Sequence, residues 1–188
     1  MDELNEYRAA VARVEAFAAG IAGRRSADMA CRAGCDACCQ VELEVAPVEA
    51  AAVAAHLASL PAAQRDAIAA TAEARQAGRC VMLGDDGRCR IYEARPLVCR
   101  TQGLPLRYPP GFVPAGAVGL DLGEKGQATW CPLNFTERLP EGADVLDAEL
   151  VDRLLAVVNH RWCAQRGLDP LARFALAELA RSEAPGPV

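Results

Sequence analysis

The sequence predicts a mainly α protein: a small helical domain with a cysteine-rich, irregular core and a short hairpin. Three observations predict it. Apolar residues recur at alternating steps of three and four over several stretches, the period of one helical face. Alanine-rich segments alternate with proline and glycine punctuation. Eight of the nine cysteines fall between positions 31 and 131, in loop-like segments outside the predicted helices.

At 188 residues the chain fits one domain, or one domain with a helical extension. Hydrophobic residues at 52% and charged residues at 24% mark a globular chain and not a disordered one. Aromatics are only 5%, so the core is expected to be thin and packed mainly by Leu, Val and Ala. A net charge of −5 argues against a nucleic-acid-binding surface, which needs a basic excess. The acidic start lacks a basic segment followed by an apolar one, and no run of about 18 apolar residues exists. No signal peptide and no membrane span are therefore expected, and the predicted compartment is the cytoplasm. Disulfides rarely persist there, and an odd cysteine count fits poorly with a closed disulfide framework, so metal or redox chemistry is the expected use of the thiols.

Taken in order, residues 2–22 read as an amphipathic helix with Leu4, Tyr7, Val11, Val14, Ala18 and Ile21 on one face and Gly20 and Gly23 at its end. A polar link leads to Cys31, Cys35, Cys38 and Cys39, with Gly34 allowing a tight loop. Residues 47–60 form a second helix with Pro47 in its first turn and Glu49 near its positive end. Leu60-Pro61 breaks it, and residues 62–77 form a third, closed by Gly78. From Cys80 to Tyr92 the chain reads as a hairpin about Gly84-Asp85-Asp86-Gly87, pairing Met82 with Cys89 and placing Cys80 one diagonal away, at roughly 7–8 Å. Residues 101–142 look irregular because of Pro105, Pro109, Pro110 and Pro114, with one short strand over 118–122. Residues 144–166 form a strong helix whose face is Leu146, Leu150, Leu154, Val158 and Trp162. Asp169-Pro170 is expected to start the last helix, with Leu171, Phe174, Ala175 and Leu179 inward, and the tail 183–188 is expected to be disordered.

A thiolate is a soft, strong ligand for zinc, iron and iron–sulfur clusters. Cys31 with Cys35, and Cys35 with Cys38, have spacings that let one loop present two sulfurs to one centre. Neighbouring Cys38 and Cys39 point apart in extended chain, which suits two centres or a multinuclear one. Cys80, Cys89, Cys99 and Cys131 complete eight candidate ligands, enough for two four-thiolate sites, and the spacing leaves their assignment open. A divalent ion held by four thiolates carries two net negative charges, and Arg32, Arg79, Arg88, Arg90, Arg95 and Arg100 lie near the candidates. Cys163, beside Trp162, reads as core, and His56 and His160 read as structural and polar positions. Asp85 and Asp86 read as turn residues. No phosphate loop, serine elbow or paired-histidine protease motif is present.

Cys31-x3-Cys35-x2-Cys38-Cys39, Cys80, and the run Gly87-Arg88-Cys89-Arg90-Ile91-Tyr92-Glu93-Ala94-Arg95-Pro96-Leu97-Val98-Cys99-Arg100 together resemble the bacterial YkgJ-type cysteine-cluster family. That family is also described as the CxxCxxCC putative zinc- or iron-chelating domain. Cys131-Pro132-Leu133 resembles its last cysteine segment. The resemblance implies chelation of zinc or iron, a [4Fe-4S] cluster being one form of the latter. A related branch holds flagellin lysine methylases, which leaves an iron–sulfur-dependent redox or group-transfer enzyme as one alternative, and a zinc-stabilised interaction module as another. The expected organisation is an N-terminal helix and link over 1–27, the metal-binding domain over 28–135, C-terminal helices over 136–182, and the tail. The expected partner is a metal ion or cluster, with no nucleic acid, no membrane, and a protein partner left unidentified.

Overall fold

The computed structural model describes residues 3–74, 78–112, 114 and 117–181. Position 2, the expected third-helix end at 75–77 and the expected disordered tail at 183–188 lie outside the described residues. In chain order the elements are α1 (Asn5–Arg25), β1 (Glu44–Val45), α2 (Pro47–Ser59), α3 (Ala62–Ala74), α4 (Leu97–Thr101), β2 (Leu106–Tyr108), β3 (Val118–Asp121), β4 (Gln127–Trp130), β5 (Leu146–Asp147), α5 (Ala148–Ala164), β6 (Phe174–Ala175) and α6 (Leu176–Arg181). Mainly α is therefore a fair description. No helix among the described residues is long and apolar enough to cross a membrane.

Two compact units interleave along the chain. The first comprises residues 1–7, 33–96 and 157–188, and the second residues 8–32 and 97–156. In the first unit α2 starts where the sequence places it, because Pro47 occupies the first helical turn and the Glu49 carboxylate accepts a hydrogen bond from the Ala46 amide at 3.3 Å. The buried Asn159 side chain accepts from the Val48 amide at 3.1 Å, satisfying another donor at that helix end. Val53, Leu57, Ile68, Met82, Ile91 and Leu179 form the core, each large side chain contributing about 2 kcal/mol on burial. β1 pairs antiparallel with β6, Val45 opposite Phe174.

In the second unit four short strands form a sheet in the order β3-β4-β2-β5. β2 and β3 both run antiparallel to β4, and β5 runs parallel to β2. The core joins Ile21, Leu104, Ala128, Trp130 and Phe135, with the Trp130 and Phe135 rings edge-on at 6.3 Å.

Five expectations need correction. α1 runs through Gly20 and Gly23 to Arg25, since a helical glycine costs only about 1 kcal/mol and does not by itself end a helix. The 101–142 stretch holds three strands, each of four residues or fewer, which fit between its prolines. α5 begins at Ala148; Leu146 lies in β5 and Leu150 is 59% exposed, so the buried face runs through Val158, Asn159, Trp162 and Cys163. Asp169 caps a turn, its carboxylate accepting from the Leu171 amide at 2.8 Å, and the helix starts only at Leu176 after β6. The 80–92 hairpin reduces to one bridge that pairs Cys89 with Leu83 and not with Met82.

Candidate metal centre

The first cysteine loop divides between the units. Cys35, Cys38 and Cys39 belong to the first, and Cys31 belongs to the second with Cys99 and Cys131. Cys38 and Cys39 sit in a 3-10 turn, Ala37–Cys39, closed by the Cys39 amide donating to the Asp36 carbonyl at 2.8 Å. A 3-10 turn replaces the opposed alternation of extended chain with a rotation of about 120° per residue, which lets the two sulfurs meet: Cys38 makes a side-chain hydrogen bond with Cys39.

The Cys80 segment is tied to that turn by backbone. The Cys80 amide donates to the Cys39 carbonyl at 2.9 Å, and the Leu83 amide folds back onto the Cys80 carbonyl at 3.1 Å. This turn, and not a ladder diagonal, brings Cys80 toward Cys89. The loop 84–88 closes with Gly84 donating to the Arg88 carbonyl at 2.8 Å. Gly87 has φ 73°, and a Cβ there would lie 2.8 Å from the Gly34 carbonyl oxygen. Glycine is thus required for the two cysteine loops to approach this closely. Behind Cys89, Arg90 donates to the Ala67 carbonyl at 3.1 Å and to the Thr71 hydroxyl at 2.7 Å on α3, while Ile91 is buried in the core.

The electrostatics match a cluster of sulfurs. Cys38 holds its proton far more tightly than an ordinary thiol, first through the Cys39 hydrogen bond and then through burial. Burial pushes Cys80 up, with the Cys89 and Cys38 thiols adding to it, and burial does the same to Cys89. Arg95 opposes these shifts at both Cys38 and Cys89. Its guanidinium stacks 3.5 Å from the exposed Tyr92 ring centroid, and its Nε donates to the Tyr92 carbonyl at 2.9 Å. Arg95 itself has extended φ and ψ of −55° and 136°, as the following Pro96 demands. Thiols with raised pKa values are poor nucleophiles. The same sulfurs become strong donors once a soft cation displaces their protons.

In the second unit Cys31 and Cys131 flank Gly103, where a Cβ would lie 3.0 Å from the Cys31 sulfur and 3.9 Å from the Cys131 Cβ. Cys99 lies on α4, between buried Leu97 and Arg100, whose guanidinium pairs with Glu15. Val98 is 40% exposed. The backbone near Cys31 is held by charge. Asp28 accepts two hydrogen bonds at 3.0 Å from Arg138 and pairs with Arg25 at 2.9 Å, and the Phe135 amide donates to the Asp28 carbonyl at 2.7 Å. Buried Phe135 takes a left-handed φ of 53°, a strained angle costing roughly 1–2 kcal/mol that these surrounding contacts enforce.

Residues 30–111 match the family model described as CxxCxxCC: Putative zinc- or iron-chelating domain. Over that segment the chain is similar to this family. No curated protein and no solved structure matches the chain.

The matched segment contains seven of the eight candidate ligands, and Cys131 lies beyond it. None of the nine cysteines is in a disulfide. Among the described residues, no three His, Cys, Asp or Glu side chains are close enough together to hold a metal ion as they stand. In the first unit Cys38 meets Cys39, and Cys80 feels both Cys89 and Cys38; in the second, Cys31 and Cys131 flank Gly103. Cys35 is half-buried in the loop beyond Gly34. Cys163 is fully buried, its thiol 3.7 Å from the Asn159 side-chain Oδ1, so it is core. His160 is exposed. Sequence reasoning missed Asn134, the Gly34–Gly87 contact and the stacking of Arg95 on Tyr92. A glycine flanking each cysteine loop was the one available signal for the second.

Proposed function

We propose that this chain chelates zinc or iron through cysteine thiolates, in a centre that serves structure, storage and delivery, or sensing. The observation that carries the reading is the approach of the Cys38-Cys39 turn to the Cys80–Cys89 loop, within a segment that matches the CxxCxxCC family model. The donor set fits the metal: sulfurs only, with Arg95 near enough to Cys38 and Cys89 to offset the negative charge of a thiolate centre. Cys31, Cys35, Cys99 and Cys131 are the further proposed ligands. Zinc would supply a redox-silent clamp, and iron would add electron-transfer capacity.

What this chain's own residues do is separable from the ion. The Cys39–Cys80 backbone bond and the Gly34–Gly87 approach hold the two loops together. Arg90 and Ile91 anchor the Cys89 segment to α3 and the core. Binding asks the sulfurs to turn toward a common point and to release their protons, so affinity rises with pH through the acid range. A reducing compartment, such as the bacterial cytoplasm, suits nine cysteines outside disulfides.

Elemental analysis with a visible spectrum, on protein purified without air, tests the proposal. At least one equivalent of zinc or iron is expected. Less than about half an equivalent overturns the reading. A colourless zinc form supports a closed structural site, and a brown form with charge-transfer bands moves the assignment to an iron–sulfur centre.

A further inference from the structure

Asn134 lies outside the span of the matched domain, three residues beyond Cys131, and its side chain is 1% exposed. A buried carboxamide needs partners for two donors and an acceptor. Here two segments meet them, residues 30–31 and Gly103. Oδ1 accepts from the Ala30 amide at 2.8 Å, Nδ2 donates to the Gly103 carbonyl at 2.8 Å, and Nδ2 also donates to the Cys31 sulfur at 3.3 Å. The orientation is fixed by chemistry: flipping the amide would set Oδ1 against the Gly103 carbonyl and Nδ2 against the Ala30 N–H. The Asn134 amide in turn donates to the Cys131 carbonyl at 2.9 Å. One side chain thus joins the backbone before Cys31, the glycine that both cysteines flank, and the turn that follows Cys131.

The Cys31 thiol also lies 3.8 Å from Oδ1, a long donation. That contact ends when the sulfur loses its proton. The Nδ2 donation remains and strengthens, because a hydrogen bond to a charged acceptor is about twice as strong as a neutral one.

We propose that Asn134 is a positioning residue for the Cys31 ligand: it aims the sulfur and donates an N–H···S hydrogen bond to its thiolate form. The inference rests on the metal-chelating reading above. It extends the functional chain past the matched domain and explains why an uncharged polar residue is buried in a thin core. Partners of this type, which orient a ligand and hydrogen-bond to it, typically account for 10–100-fold in metal affinity.

The test is a double-mutant cycle read by Co2+ titration of the full chain under argon, using the thiolate-to-metal absorbance. N134D keeps the size and the acceptor for Ala30 but removes both Nδ2 donors. We expect N134D and C31S each to weaken Co2+ binding about tenfold or more, and the double variant to bind within about twofold of C31S. Two results overturn the proposal: N134D binding Co2+ within twofold of wild type, or the double variant falling a further tenfold below C31S. Far-UV circular dichroism accompanies each variant. Should N134D not fold, N134S takes its place in the cycle, and if neither folds, Asn134 maintains the fold and the proposal fails. Wild-type protein that takes up no Co2+ sinks the metal reading and this inference together, whereas normal loading of both wild type and N134D sinks this inference alone.

Discussion

In the first unit the thiols of Cys38, Cys39, Cys80 and Cys89 are placed by backbone and apolar packing: a carbonyl–amide bond from Cys39 to Cys80, two glycines in close approach, and Met82 and Ile91 sunk in the core. In the second, Cys31 is placed by polar side chains: Asn134 on its sulfur, and Asp28 held between Arg25 and Arg138 three residues before it. The contrast has consequences for mutation. Positioning by backbone fails when a Cβ appears where none fits. Positioning by buried charge fails when one partner is removed and the other is left uncompensated.

The largest expected effect touches both units. Stripping metal with a strong chelator removes a ligand bound only by the folded chain. A thousandfold excess over Kd contributes about 4 kcal/mol, so Tm is expected to fall by roughly 8–16 °C. Calorimetry of the metal-loaded and stripped protein in reductant checks this. An unchanged Tm would show that the metal, if bound, does not support either group of thiols.

Next comes the charge network of the second unit. The Asp28 side chain is 5% exposed and that of Arg25 11%. Asp28→Ala leaves Arg25 with weaker contacts to Asp144 and Glu141 and removes the bidentate partner of Arg138. A loss of about 3 kcal/mol is expected in chemical denaturation. The comparison sharpens if Co2+ uptake by the D28A variant falls in a C31S-sensitive way, and it breaks if D28A is neutral.

A smaller effect tests the first unit. Gly87→Ala meets both a left-handed φ of 73° and a backbone oxygen at 2.8 Å, whereas Gly167→Ala has φ 66° and nothing within 4 Å. The second should cost about 1 kcal/mol from strain alone, and the first about 2–3 kcal/mol, since the Gly34 carbonyl cannot yield as a side chain would. Only G87A is expected to weaken metal binding. Equal losses in both variants would remove the Gly34–Gly87 contact from the account of the site.

The sequence exposes one kind of information and hides the other. α2 was legible because its cues are local: Pro47, Glu49 and an apolar period within one helix. The match to a chelating family was legible because the Cys31–Cys39 cluster and the Cys89–Cys99 run are local motifs. The end of α1 was not, since Gly20 and Gly23 weaken a helix without ending it, and arginines beyond them favour its C-terminus. The sheet was hidden because strands such as β2 and β5 pair across about forty residues and are too short to show alternation. The Met82–Cys89 register failed because the turn beginning at Cys80 replaces the expected strand. Asn134 was illegible in principle: nothing in a Cys-Pro-Leu-Asn segment announces that its amide will be buried against two distant segments.

The gentlest effect separates the two thiol groups by pH. Cys38, Cys80 and Cys89 are pushed above the ordinary thiol value of 9.0, Cys38 first by its bond to Cys39 and the other two first by burial. A thiol whose pKa is higher folded than unfolded stabilises the fold fully below the unfolded value. That contribution is lost as pH rises toward the folded value, because the unfolded chain ionises first. The metal-free protein should therefore lose Tm gradually above about pH 9. The metal-loaded protein, whose thiolates are already ionised, should hold its Tm there and fail in acid instead as protons reclaim the sulfurs. Replacing Cys38 and Cys80 by serine should flatten the alkaline slope of the metal-free form, while C31S should leave it in place. A slope that survives the loss of Cys38 and Cys80 would mean that the crowding of sulfurs in the first unit is not what makes the empty chain sensitive to base.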